Sequence, residues 1–117
     1  MEELEYQEGK LNIDVYQTES EFIIQSTIGG VSDKDLEILV SGDTVTIKGE
    51  RKPPENVLPE QYIYQECYWG KFSRTIILPE PFDDEKIKAT LKNGILTIRL
   101  PKLRKKEAQK IIIESED

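Results

Sequence analysis

Residues 86–102 read KIKATLKNGILTIRLPK, and the order of large and small side chains in them decides the fold. Ile87, Ala89 and Leu91 alternate with Lys88, Thr90 and Lys92, and Leu96, Ile98 and Leu100 alternate with Thr97 and Arg99. A period of two sends successive side chains to opposite faces of a strand, so each arm is a strand with one apolar face. Asn93-Gly94 stands between the arms. Both residues tolerate the positive φ that a two-residue turn demands, so the stretch predicts a tight hairpin.

The same period runs outward along the chain. LNIDV (11–15) alternates Leu11, Ile13 and Val15, and EFIIQSTI (21–28) sets Phe22, Ile24 and Ile28 on one face. LEILV (36–40) alternates Leu36, Ile38 and Val40; Gly42-Asp43 turns the chain and Val45 and Ile47 return. YIYQECYW (62–69) sets Tyr62, Tyr64 and Tyr68 on one face, and FSRTIILP (72–79) sets Phe72, Ile76 and Leu78 on one face. Helical signals are thin: PFDDEK (81–86) suits one short turn, and KLRKKEAQK (102–110) has no apolar stripe and reads as a solvated linker. Seven or eight short strands separated by turn signals predict an all-β antiparallel sandwich or small barrel.

Composition narrows the chemistry. The chain has 117 residues, 33% charged and 37% hydrophobic, enough for one domain with its own core. The net charge of −7 opposes binding to phosphate backbones. One cysteine, Cys67, rules out an intrachain disulfide, and with no histidine the usual zinc sites and His-based catalytic triads cannot be built. No apolar run reaches membrane-spanning length, and the acidic start MEELEYQEGK lacks the pattern of a secretory signal, so a cytoplasmic location is expected. No nucleic-acid or membrane partner, no cofactor and no catalytic role is expected. The aromatics interleaved with charge in YIYQECYWGKF resemble a single-strand nucleic-acid platform, but basic residues are too few there.

Two segments do not fit a closed sandwich. ERKPPENVLPEQ (50–61) carries three prolines and is long for a hairpin loop. About twelve extended residues span up to ~40 Å, enough to carry the following strand to a neighbouring subunit. KIIIESED (110–117) places Ile111, Ile112 and Ile113 next to the chain's end, after a charged run of nine residues that can reach ~30 Å from Pro101. From the residues alone, the triplet is either a last strand on its own sheet or an anchor for another subunit. Arg74 shares the face of Phe72, Ile76 and Leu78, where a charge must be paired or turned out to water by a bulge.

Taken together, these residues resemble the small heat shock protein, or alpha-crystallin, family. ATLKNGILTIRLPK (89–102) is similar to the family's A-x-x-x-N-G-V-L hairpin, with Ile95 in place of Val. GKFSRTIILP (70–79) is similar to its G-x-F-x-R-x-x-x-L-P segment, and KDLEILVSGDTVTIKGER (34–51) to the hairpin ending in G-E-R. Ile111 and Ile113 resemble its C-terminal I-x-I motif. The resemblance covers Leu11 to Ile113 and divides the chain into an arm (1–10), an alpha-crystallin domain (11–101) and a C-terminal extension (102–117).

The resemblance implies an immunoglobulin-like β-sandwich and a strand-swapped dimer, with Tyr62, Tyr64 and Arg74 at the dimer interface and a carboxylate of the other subunit facing Arg74. It implies that Ile111 and Ile113 anchor in a groove between the strands holding Leu36, Ile38, Val40 and Ile87, Ala89, Leu91. It implies ATP-independent holding of unfolded or partially folded client proteins by a homodimer that assembles into a higher homo-oligomer. Family members usually carry a longer apolar arm. Only Met1, Leu4 and Tyr6 are large and apolar in residues 1–10, which predicts smaller or emptier assemblies and leaves an adaptor module without client holding as the second reading.

Overall fold

A computed structural model describes residues 9–103 and 110–116 of the chain. Most of the expected N-terminal arm and most of the expected solvated linker, residues 104–109, lie outside the described residues. The strands are β1 (Gly9–Lys10), β2 (Asp14–Gln17), β3 (Glu21–Thr27), β4 (Leu36–Ser41), β5 (Thr44–Arg51), β6 (Gly70–Ile77), β7 (Lys88–Lys92) and β8 (Ile95–Pro101). They form two four-stranded sheets, one in the order β1-β6-β5-β4 and the other β2-β3-β8-β7. All pairings are antiparallel except β1 with β6, which is parallel.

Both predicted hairpins form. Lys92 pairs with Ile95 around Asn93-Gly94, and φ is +53° and +75° at the two turn residues, the signature of a turn with both central residues left-handed. Ser41 pairs with Thr44 around Gly42, φ +62°, and Asp43 keeps a negative φ, as a turn with glycine first requires. The inward faces meet in one core. Phe22, Ile24 and Ile28 approach from β3 and its end, Leu96, Ile98 and Leu100 from β8, Val45 and Ile47 from β5, and Phe72, Ile76 and Leu78 from β6 and its end.

Two predicted strands are corrected. LNIDV is not one strand: Leu11 to Ile13 is the crossover between the sheets, and pairing with β3 starts at Asp14. The physical reason is that side chains claim the backbone there. Arg74 Nη1 donates to the Leu11 carbonyl at 3.0 Å, and Ser26 Oγ donates to the Asn12 carbonyl at 2.8 Å. YIYQECYW forms no strand within the chain. Both sides of β6 are already occupied, by β1 and β5, and the segment enters from a 3-10 turn at Pro59–Gln61, where Leu58 N–H donates to Gln61 Oε1 at 2.7 Å. Strand pairing also begins at Gly9 and backbone contacts run on to Leu103, whose N–H reaches the Pro81 carbonyl at 3.4 Å.

The hairpin ending in K-G-E-R is held by a close approach. Gly49 lies opposite Phe72, and a Cβ at Gly49 would sit 2.5 Å from Phe72 Cζ and 2.9 Å from the Asp35 carbonyl oxygen. Arg51 covers the same ring, with its guanidinium 5.6 Å from the centroid, while its Nε donates to the Gly29 carbonyl at 2.9 Å. Gly49→Ala must therefore displace a buried aromatic ring or the backbone. It should lower unfolding stability by about 1–3 kcal/mol in denaturant titration. Gly29→Ala, with open space around it, serves as the control; equal losses in the two variants would contradict this packing.

Candidate functional site

The unusual feature of this sandwich is how its core ends at β4 and β7, each the outermost strand of its sheet. Residues directly opposite one another in an antiparallel pair share a face. Ile38 is opposite Ile47 and Val40 is opposite Val45, and both partners are fully buried. Leu36, Ile38 and Val40 therefore point into the sandwich, yet all three are only half-buried. On the other sheet Ala89 is opposite the fully buried Ile98 and Leu91 is opposite Leu96. Leu91 and Ile87 are half-buried, and Ala89 is exposed although it faces inward. Six predicted groove residues thus line two edges where the interior opens to water, and five of them pack on the common core.

The predicted anchor is found away from that core. Ile111, Ile112 and Ile113 are 75%, 85% and 92% exposed, and no residue of 110–116 belongs to a strand. Water-averse side chains this open, three in a row, have not been buried by their own chain.

The residues expected at the dimer interface lie in two settings. Arg74 is half-buried on β6 opposite Ile47 and spends one N–H on the Leu11 carbonyl. Among the described residues it has no carboxylate partner. No bulge interrupts the β5–β6 register, so Arg74 stays on the inward face and tethers the crossover instead of turning to water. Tyr62 is half-buried, while Ile63 is 90% and Tyr64 82% exposed. Adjacent side chains point to opposite faces of an extended chain, so this segment is uncovered on both sides. Cys67 is exposed as well.

Several residues were not singled out from the sequence. Tyr16 is exposed on β2, the other outer strand of the second sheet, and so is its neighbour Val15, which alternation had placed on an apolar face. Leu39 and Ile77 are exposed on the outer face of the first sheet. Lys102 is held by Gln17 Oε1 at 2.8 Å and Glu80 Oε2 at 3.3 Å, with Nζ 4.9 Å from the Phe22 ring centroid. The signal for Leu39 and Ile77 is a break in alternation, an apolar residue where period two demands a polar one. Lys102 and Glu80 carry no such signal, since both read as ordinary surface charges.

Among the described residues no cluster of acidic and thiol side chains could hold a metal ion, and no helix is long and apolar enough to cross a membrane. Among the described residues the site is a set of uncovered apolar edges and segments.

Comparison with known proteins places this geometry. Residues 14–114 match the Hsp20/alpha crystallin family. Spore protein SP21 of Stigmatella aurantiaca is 34% identical over 102 residues, covering 87% of this chain and 60% of that protein. Small heat shock protein C4 of Rickettsia felis is 33% identical over 100 residues, covering 86% and 61%. The chain thus spans about 60% of the length of these relatives. Among solved structures, heat shock protein 16.0 of Schizosaccharomyces pombe is 29% identical with a TM-score of 0.77, over 92% of this chain and 100% of that one. A small heat-shock protein of Xylella fastidiosa, described as having a distinct high order structure, is 25% identical with a TM-score of 0.80, over 93% and 100%. The chain belongs to the Hsp20/alpha-crystallin family of small heat shock proteins, a family of non-enzymatic chaperones, and its fold is the alpha-crystallin sandwich.

Proposed function

We propose that this chain is an ATP-independent holdase, which captures apolar segments of unfolding proteins and slows their aggregation. The observation that carries the reading is the coexistence of two uncovered partners. The inward side chains of β4 and β7 are short of cover, and Ile111 and Ile113 on the same chain are short of a place to go. In the assembled protein the tail of one subunit fills the opening of another, with Ile111 and Ile113 directed inward by alternation. Burying two isoleucines yields about 3–6 kcal/mol by area. Ordering the tail on binding takes back much of this, so one anchor is weak and detachable. Many anchors held at once make a stable particle whose subunits still exchange. Release of an anchor frees an apolar opening and a strand edge, and an unfolded segment is captured there by the same burial and by strand addition.

The dimer is built by the loop between β5 and β6. Tyr62, Ile63 and Tyr64 reach another subunit and pair with the β2 edge, where Val15 and Tyr16 are uncovered. Arg74 serves this interface indirectly by fixing the crossover that leads into β2, and its remaining donors face a carboxylate of the other subunit.

Mass in solution separates the two interfaces. Removing Ile111 to Asp117 should reduce the particle to dimers, and Arg74→Met should weaken the dimers themselves. An unchanged particle after tail removal refutes the anchor, and an unchanged dimer after Arg74→Met refutes the role of that guanidinium. Client holding has its own test. A heat-labile protein warmed with an equimolar amount of this chain, and no nucleotide, should scatter markedly less light than when warmed alone. Equal scattering would leave an assembly module without holding activity.

A further inference from the structure

The tail carries one isoleucine more than a two-pocket anchor needs. With Ile111 and Ile113 turned inward, alternation turns Ile112 outward. β4 repeats that pattern. Ile38 and Val40 face the interior, and Leu39 between them faces outward, 46% exposed. On the inside of the sheet Leu39 has a neighbour: it lies opposite Thr46, whose hydroxyl is 3.4 Å from that of Thr75. On its other side β4 is the sheet's edge and has no strand beside it among the described residues. Alternate residues of an antiparallel edge strand turn their N–H and C=O away from the sheet, so Ile38 and Val40, on either side of Leu39, offer backbone groups to a further strand.

We propose that the tail of a second copy joins β4 as a parallel strand, with Ile111 beside Ile38 and Ile113 beside Val40, so that Ile112 packs on Leu39 outside the groove. The proposal rests on the anchor reading above and fixes its register and direction. The direction follows from charge. Lys110 shares the outward face of Ile112, and Glu37 shares the outward face of Leu39. Parallel addition sets Lys110 beside Glu37, opposite charges, and Glu114 beside the uncharged Ser41. Antiparallel addition with the same isoleucine contacts sets Glu114 beside Glu37, and like charges directly opposite destabilise a strand pair. Glu37 is opposite Lys48 on β5, but among the described residues it makes no ion pair and is open to a second cation.

The consequence is selectivity. A tail with two anchors and a polar residue between them fills the inner pockets but leaves Leu39 uncovered. The third apolar contact favours this chain's own tail over such tails, so copies of this protein assemble with one another in a mixture.

The test uses the full-length chain and reads particle mass across a dilution series. Ile112→Ser and Leu39→Ser should each move the midpoint of dissociation about tenfold to higher concentration. Because they remove one shared contact, the double variant should move it no further than the larger single effect. Glu37→Lys and Lys110→Glu should each weaken assembly about two- to fivefold, and the two together should restore it. Both contact residues are exposed in the single chain, so unfolding midpoints of the variants serve as the check on folding. Additive effects of Ile112→Ser and Leu39→Ser, or a charge exchange that fails to restore, would overturn the register or the direction. The paired change Ile111→Ser with Ile113→Ser tests the anchor separately. If it dissolves the particle while Ile112→Ser and Leu39→Ser do nothing, only the outer contact is wrong. If it too does nothing, the anchor and everything resting on it are wrong.

Discussion

Everything else in this molecule depends on a core that its own strands do not close. Sheets packed face to face bury the side chains between them, but each sheet has two outer strands, and those need cover of another kind. At β5 and β8 the inward residues are sealed, with Val45, Ile47, Ile98 and Leu100 fully buried. One strand further out, at β4 and β7, residues on the same inward faces are half-buried or exposed. The loss of cover over a single strand spacing is a property of the fold itself, because no further strand of the described chain reaches these edges. A sandwich finished in this way has a sealed centre and keeps an apolar opening at its edges.

The chain also carries apolar segments that its described strands leave uncovered. The prolines of the β5–β6 loop keep it out of the sheet and leave Ile63 and Tyr64 almost fully exposed. The isoleucines near the C-terminus are exposed in the same way. In the proposed assembly both are donated to other subunits. An interface built from short donated segments is weak per contact, and that weakness is what permits heat or dilution to free an edge for an unfolding client. In the proposed mechanism the driving force is apolar surface, present on the client and on the chaperone alike, so capture calls for no bound nucleotide.

The fold was largely legible in the residues, and the reasons are specific. Asn93-Gly94 and Gly42-Asp43 specify their turns through the sign of φ, and the period-two runs around them specify which faces meet. What the pattern missed was decided by side chains acting on backbone at long range. Nothing near Leu11 in the sequence announces that Arg74, 63 residues away, will claim its carbonyl and turn a predicted strand into a crossover. Ile23, buried on the face opposite Phe22 and Ile24, breaks alternation without saying what covers it. The tyrosine segment reads as a strand because its pattern is that of a strand, but a strand needs a neighbour, and the sequence does not say which molecule supplies it. The inward residues of β4 and β7 were legible as alternating apolar positions. That they would be half-open was not, because strand order in the sheets decides it.

Hydrogen exchange of the β4 amides, measured at concentrations above and below dissociation of the particle, tests the central claim most directly. If the edge is completed by another subunit, amides of residues 36–41 gain protection as the particle assembles, while those of β5 and β8 stay protected throughout. Protection of β4 that is the same in the dissociated and assembled protein would mean that the opening is closed by the chain itself or never filled, and the account would fail.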